Sequence, residues 1–325
     1  MMKGKELRII FMGTPDFAVA SLDALVANGY NVVGVITAPD KPAGRGRQMN
    51  QSAVKIYAVE KGLTVLQPEK LKDAAFLEAL KSLKADLQVV VAFRMLPEVV
   101  WDMPPYGTFN LHGSLLPAYR GAAPLNWAII NGETESGAST FKLQHEIDTG
   151  NIIYQESVPI GPDDNVEVLH DRLMEIGASL VLKTVDALAE GNVKMIAQDK
   201  LIAKGYISKP APKIFKEDCL INWASDVIAI KNKIRGLSPY PTAWTKLLDP
   251  DGYETPMKLF RVEIEKADYK IEPGTIYSDQ KTFLKIGASN GWISVKELQL
   301  SGKKRMKVDD FLRGFQKIED YRAIQ

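Results

Sequence analysis

Residues 87–93 read LQVVVAF, and residues 108–121 read TFNLHGSLLPAYRG. The first is an apolar run interrupted only by Gln88 and rich in β-branched side chains, which suits a strand covered on both faces of its sheet. Residues 7–12 (LRIIFM) and 32–37 (VVGVIT) have the same character. Helical patterns fall between and after these runs, at 17–28, 52–61, 73–83 and 122–131. Strands alternating with helices predict an α/β first half on a doubly wound parallel sheet. Ligands of such sheets bind beyond the carboxyl ends of the strands, which is where TFNLHGS places Asn110 and His112.

The pattern then changes. A long helix is predicted at 166–189, after which periodicity fades. Residues 191–214, GNVKMIAQDKLIAKGYISKPAPKI, mix polar residues with Gly205, Pro210 and Pro212 and read as an extended linker. A helix at 226–235 precedes short strands at 243–248, 257–263, 274–277, 283–286 and 292–298, the spacing of a small β-barrel. At 325 residues the chain exceeds a single core. The predicted organisation is a catalytic domain at 1–190, a linker at 191–208 and a smaller domain at 209–325.

Residues 1–203 carry 19 Lys and Arg against 24 Asp and Glu, a formal −5, whereas residues 204–325 carry 22 against 16, a formal +6. This asymmetry suits a polyanion-binding module attached to a catalytic one, and random surface variation produces it equally well. No run approaches the ~18 apolar residues of a membrane span. The apolar run near the start is about half the length of a signal-peptide core and meets Pro15-Asp16 directly, so a cytoplasmic protein is expected. Cys219 stands alone, which excludes an internal disulfide and any zinc site built on several cysteines.

Asn110 and His112 alternate along one strand, so their side chains leave the same face. Gly107 and Gly113 on either side leave backbone room for a substrate. Downstream, Asp148-Thr149-Gly150 falls in a turn between strand-like segments, from which Asp148 can reach the histidine. An amide can donate to a developing oxyanion, an imidazole can exchange a proton near neutrality, and a carboxylate can orient that imidazole. The set suits attack on a carbonyl by a nucleophile the substrate supplies, since Ser114 lacks the GxSxG frame of hydrolases. GTPDF at 13–17 lacks the GxGxxG pattern, and His145 and His170 lack ligand spacing such as HExxH, so neither a dinucleotide site nor a metal is expected. Spacing alone leaves a second reading open, in which Asn110 and His112 satisfy backbone groups at a strand end.

FNLHGSLLPAYRGAAPLNW at 109–127, with IDTG at 147–150, resembles the formyltransferases that use 10-formyltetrahydrofolate, marked by Asn-x-His, then SLLP, then a later Asp. RIIFMGTPDFAV (8–19), PDKPAGRGRQM (39–49), INWASD (221–226), IRGLSPYPTAW (234–244) and LQLSGKKRM (298–306) resemble the branch whose acceptor is initiator methionyl-tRNA. The likeness covers nearly the whole chain. It implies a Rossmann-like first domain, an OB-like barrel at the carboxyl end, and catalysis by Asn110, His112 and Asp148. It also implies 10-formyltetrahydrofolate as co-substrate, no metal, and a role in translation initiation; a monomer is expected, although the sequence does not state the oligomeric state. The folate is expected against Phe93, Arg94, Met95 and Leu96 and against Ser114, Leu115, Leu116 and Pro117. Two departures concern the pocket: Arg94 stands where the family more often has Gly, and 144–147 (QHEI) where a Gly-Leu pair is usual.

In that branch the loop matching 39–49 contacts the tRNA, which nominates Lys41, Arg45 and Arg47. Lys209 joins them. Lys231, Lys233 and Arg235 on one helix, and Lys303, Lys304 and Arg305 in a second cluster, read as phosphate contacts. Tyr240 and Trp244 are candidates for stacking on bases or for the barrel core. Two other readings share these features. One is a formyltransferase acting on a nucleotide-linked amino sugar, whose relatives also carry FNLHGSLLP. The other is a non-catalytic RNA-binding protein.

Overall fold

The computed structural model describes residues 3–43, 48–191 and 193–325. Two compact units emerge, neither continuous in sequence. One holds the residues up to Ala122 with Ser136–Val158 and His170–Ala211; the other holds Ala123–Glu135, Pro159–Leu169 and Pro212–Gln325.

In the first unit the strands lie in the order Ile152–Pro159, Glu135–Lys142, Thr108–His112, Leu87–Val91, Ile9–Gly13, Val32–Ile36 and Val65–Leu66. From Thr108–His112 to Val65–Leu66 every pairing is parallel. All residues of Ile9–Gly13 and Leu87–Val91 are buried, Gln88 among them, as mainly apolar runs require of strands covered on both faces. Helices Asp16–Ala27, Ala53–Glu60, Ala74–Ser82 and Glu98–Trp101 connect these strands. Two of them start on side-chain caps, the Ser52 hydroxyl accepting from the Lys55 N–H and the Asp73 carboxylate from the Phe76 N–H, each at 3.1 Å. The sheet is thus the Rossmann-like one expected, and Thr108–His112 is where it turns antiparallel, pairing Asn110 with Phe141 and His112 with Ser139.

The strand Glu135–Lys142 is longer than its sequence suggests. Its buried positions include Ser136, Ser139 and Thr140, so no apolar alternation announces it. These hydroxyls find partners inside, as where the Thr140 and Thr184 hydroxyls meet at 2.8 Å. The segment read as an extended linker also differs. It contains the helix Gln198–Ile202 and a strand Pro210–Ala211 that pairs in parallel with Arg120–Gly121, and through Ala211 it belongs to the first unit. Residues 41–43 and 48–50, flanking 44–47, form a short antiparallel pair.

In the second unit the strands run in the order Ile276–Ser278, Leu284–Ala288, Gly291–Leu300, Glu254–Lys266, Ala243–Leu248 and Arg322–Ile324, with Met306–Lys307 beside Gly291–Leu300. A register shift around Arg261 marks a bulge in the longest strand, the kind of irregularity that bends a sheet toward closure. Closure is almost complete, because the Ala323 N–H donates to the Gly274 carbonyl at 2.9 Å and Thr275 bridges to Arg322. Gly274 has φ +83°, and a Cβ there would lie 2.2 Å from the Ala323 oxygen, so this seam accepts glycine alone. The helix Val227–Leu237 packs Val227, Ile230 and Ile234 into a core with Trp223, Leu247, Met257, Leu259 and Val295. Helix Pro124–Ile130, one of the first-half helical patterns, joins this unit: the Asn126 amide donates to the Gly236 carbonyl at 2.8 Å.

Candidate active site

Strand Thr108–His112 ends at the carboxyl edge of the parallel sheet and carries Asn110 and His112 on one face. Asn110 is half-buried, and its amide makes no hydrogen bond among the described residues, which leaves a donor at the site. His112 is 7% exposed, with its ring edge-on to Phe141 at 6.4 Å. Its Nε2 lies 2.8 Å from the Tyr119 carbonyl oxygen. A carbonyl only accepts, so Nε2 carries the hydrogen and Nδ1 is the edge left for chemistry. Nδ1 faces the Asp148 Oδ2 at 3.8 Å, beyond a direct hydrogen bond and within ion-pair reach.

The carboxylate is held by structure that local sequence does not announce. Asp148 has φ +53°, a conformation costly for a non-glycine residue. Its Oδ2 accepts the Gly121 N–H at 2.9 Å, and Gln198 donates through Nε2 to the carbonyls of both Asp148 and Gly150 at 2.8 Å. The Gln198 Oε1 in turn accepts from Arg120, at 3.0 Å from Nε and 2.7 Å from a terminal nitrogen. Gly150 is obligatory, since a Cβ there would lie 1.7 Å from the Lys142 oxygen. Neither Gln198 nor Arg120 was among the residues read from the sequence. An isolated glutamine in an aperiodic stretch carries no local signal.

The SLLP turn is braced as closely. The Ser114 hydroxyl donates to the Ala118 carbonyl at 2.6 Å, and the Ser139 hydroxyl donates to the Ser114 carbonyl and accepts from the Leu116 N–H. Gln155 donates to the Leu116 carbonyl at 2.9 Å. Of the folate candidates in this turn, Ser114, Leu116 and Pro117 are buried and Leu115 is half-buried. In the other group Leu96 belongs to the core, Phe93 is half-buried, and Met95 is exposed. Arg94 donates to the carbonyls of Pro68 and Glu69 and lies 5.6 Å from the Phe93 ring. Burial pulls its guanidinium below the usual arginine range.

The basic candidates fall into distinct environments. Lys41 is exposed, while Arg45 and Arg47 lie outside the described residues. Lys209 sits over the Tyr119 ring at 5.6 Å. In the second unit Lys231 pairs with Asp163 at 2.7 Å, and Arg305 pairs with Glu297 while covering the Phe260 ring at 4.4 Å. Lys233 donates to the Leu220 carbonyl at 2.6 Å, and Arg235 donates to the carbonyls of Gly161 and Asp164 at 3.2 and 3.0 Å. Burial lowers the pKa of both. Lys303 and Lys304 are exposed, Trp244 is half-buried against the barrel core, and Tyr240 is 81% exposed. The remaining histidines sit by carboxylates, His145 near Glu98 and His170 near Asp16 and Asp171. Among the described residues no group of three His, Cys, Asp or Glu side chains is placed to hold a metal, and no helix is long and apolar enough to cross a membrane.

Residues 7–185 match the model of the formyl transferase family, and residues 213–316 match that of the formyl transferase carboxyl-terminal domain. The chain is 58% identical over 321 residues to a methionyl-tRNA formyltransferase of Bacteroides thetaiotaomicron, covering 99% of each protein. It is 59% identical over 315 residues to that of Phocaeicola vulgatus, covering 97% of each. Among solved structures, an N-formyltransferase from Helicobacter canadensis, in complex with folinic acid and dTDP-3-aminofucose, superposes with a TM-score of 0.64 at 20% identity over 92% of this chain and 100% of that one. HypX from Aquifex aeolicus in complex with tetrahydrofolic acid gives 0.63 at 20% identity, over 96% of this chain and 48% of that one. These structural likenesses concern the fold. With both halves matched by the family's two domain models, and its full length by relatives at more than half identity, the chain belongs to the formyl transferase family, on its methionyl-tRNA formyltransferase branch.

Proposed function

We propose that this enzyme transfers the formyl group of 10-formyltetrahydrofolate to the free α-amino group of methionyl-initiator tRNA, in the cytoplasm and as a monomer, for translation initiation. The observation that carries this reading is the full-length match to methionyl-tRNA formyltransferases, in a chain that keeps Asn110, His112 and Asp148 together at one sheet edge. The neutral amine attacks the formyl carbon, and negative charge develops on the formyl oxygen. Asn110 has an uncommitted amide to donate to that oxygen, as a donor aimed at the transition state must. The amine must lose a proton and the folate nitrogen must gain one as the old bond breaks. His112 Nδ1 serves that exchange, because Nε2 is committed to Tyr119. Asp148 stabilises the proton while it rests on Nδ1.

The donor fits the residues present. Leu115 and Phe93, half-buried, offer apolar surface, and the braced SLLP turn offers a fixed wall. The acceptor is supported by the exposed cations Lys41, Lys303 and Lys304 and by the basic second unit, with Arg45 and Arg47 proposed as further contacts. The deciding experiment compares steady-state formylation of charged initiator tRNA with that of an amino-sugar nucleotide. Turnover of the tRNA alone is expected. Turnover of the sugar nucleotide alone would give the site to the other acceptor, and turnover of neither would make the chain a binding protein.

A further inference from the structure

A cleft of about 160 Å³ opens within the second unit, between the segment containing Asp163 and Asn165, the helix Val227–Leu237 and the strands Glu254–Lys266 and Gly291–Leu300. It gathers four cations, Lys231, Arg235, Arg261 and Arg305, from three stretches of chain. Its three carboxylates are already answered: Asp163 by Lys231 at 2.7 Å, Glu297 by Arg305, and Glu263 by Lys296 at 2.9 Å. Two guanidinium groups remain outside these pairs. Arg235 spends its donors on two carbonyls and the Asn232 side chain, while the carboxylates of Asp164 and Asp163 act on its charge without bonding to it. Arg261, exposed at the mouth, has no direct hydrogen bond or ion pair among the described residues, and its charge acts on Asp163 from a distance.

A second, independent feature marks the same cleft. Ser238 lines it, is 1% exposed, and has a hydroxyl with no hydrogen-bond partner among the described residues. A buried hydroxyl without a partner is costly, which calls for a group in the cleft that accepts its proton. An acceptor carrying one or two negative charges meets both demands. The volume is about that of five liquid waters, enough for a tetrahedral oxyanion with part of its hydration. Tyr240, two residues beyond Ser238, presents a ring 81% exposed to solvent, and a ring so placed can stack on a base.

We propose that this cleft is a phosphate site of the second unit, seating a backbone phosphate of the RNA acceptor between Ser238, Arg235 and Arg261. The inference rests on the tRNA reading for the source of the phosphate but not for the site itself. Arginine suits it better than lysine, because a planar fork meets two phosphate oxygens at once.

The test has two arms on the full chain. In the first, inorganic phosphate is titrated while the arginine side-chain NMR signals are followed. Saturable shifts of Arg235 and Arg261 are expected, lost in Arg261→Ala and weakened in Ser238→Ala, which gives up no hydrogen bond of the protein and should fold normally. In the second, Arg261→Ala should raise KM for charged tRNA about tenfold. The log–log salt dependence should flatten by roughly one unit. Neither kcat nor folate affinity should change. Tyr240→Ala should weaken tRNA but leave the phosphate titration intact. Absence of saturable phosphate binding overturns the site. Phosphate binding with unchanged tRNA kinetics overturns the RNA source and leaves a site for free phosphate. Failure of tRNA formylation in the unaltered protein would instead count against the acceptor reading, while the first arm still judges the cleft.

Discussion

Gln198 donates both hydrogens of its amide to the turn that carries Asp148, one to the Asp148 carbonyl and one to the Gly150 carbonyl, each at 2.8 Å. A residue 50 positions downstream thereby holds a proposed catalytic carboxylate in a left-handed conformation. Gln198→Ala would leave those carbonyls and the Arg120 guanidinium without partners, at about 1–3 kcal/mol of stability. Loosening of the turn should lower kcat roughly tenfold, each tenfold corresponding to about 1.4 kcal/mol of barrier. Gln198→Glu keeps an acceptor for Arg120 and loses both donations, so it should share the kcat defect while retaining more stability. Thermal denaturation and single-turnover formyl transfer measure the two effects. Unchanged turnover in both variants would show that Asp148 needs no brace.

The Asn110 side chain makes no hydrogen bond among the described residues, so its removal should spare the fold and strike the transition state. Asn110→Ala should reduce kcat by about 10²–10³ with little change in Tm. A fall in Tm without a fall in kcat would return this residue to a structural role at the strand end.

The gap between His112 and Asp148 makes the charge of Asp148 separable from its position. Asp148→Asn keeps an oxygen for the Gly121 N–H and removes only the charge facing Nδ1. Losing that charge at fixed geometry weakens the proton exchange proposed at Nδ1. We expect kcat to drop by about 10²–10³ while folate affinity and Tm hold. Near-normal kcat in this variant would assign proton transfer to another group.

Gly121 has φ +128°, and a Cβ there would lie 2.4 Å from the Ala211 oxygen. Gly121→Ala should therefore push apart the pairing of Arg120–Gly121 with Pro210–Ala211 and shift the N–H that Asp148 accepts. A loss of both stability and kcat is expected, with increased amide exchange across 193–211. Normal exchange in that segment would contradict the linkage.

Tyr30 donates to Asp186 at 2.9 Å, and burial together with that bond pushes its pKa up to about 12. The native state thus holds the phenolic proton more tightly than the unfolded chain, whose tyrosines titrate near ~10. The contribution of this bond to stability should be complete below about pH 10 and disappear as the pH rises through about 12. Tyr30→Phe should cost about 1 kcal/mol at neutral pH and flatten the alkaline limb of the stability profile. Chemical denaturation between pH 7 and pH 12 measures both.

The alternation of strands and helices in the first half, the barrel strands of the second, and the shared face of Asn110 and His112 were legible in the sequence. Each is a matter of local period: apolar runs report burial on both faces, and a two-residue repeat places alternate side chains on one side whatever the rest of the chain does. The full length of Glu135–Lys142 escaped that reading, which reached only a strand-like stretch at 139–143, because its interior positions include hydroxyls that pair only across the fold. The stretch at 193–211 looked like a tether for a related reason. A glutamine becomes a brace only when folding brings Arg120, Asp148 and Gly150 around it. The same holds for the cleft, where Arg261 meets Lys231, Arg235 and Arg305 only because a bulged strand and a helix pack side by side. Covalent geometry repeats along the chain and so writes a local pattern, whereas contacts between residues tens of positions apart are decided by packing, and it was packing that placed Asp148 opposite His112.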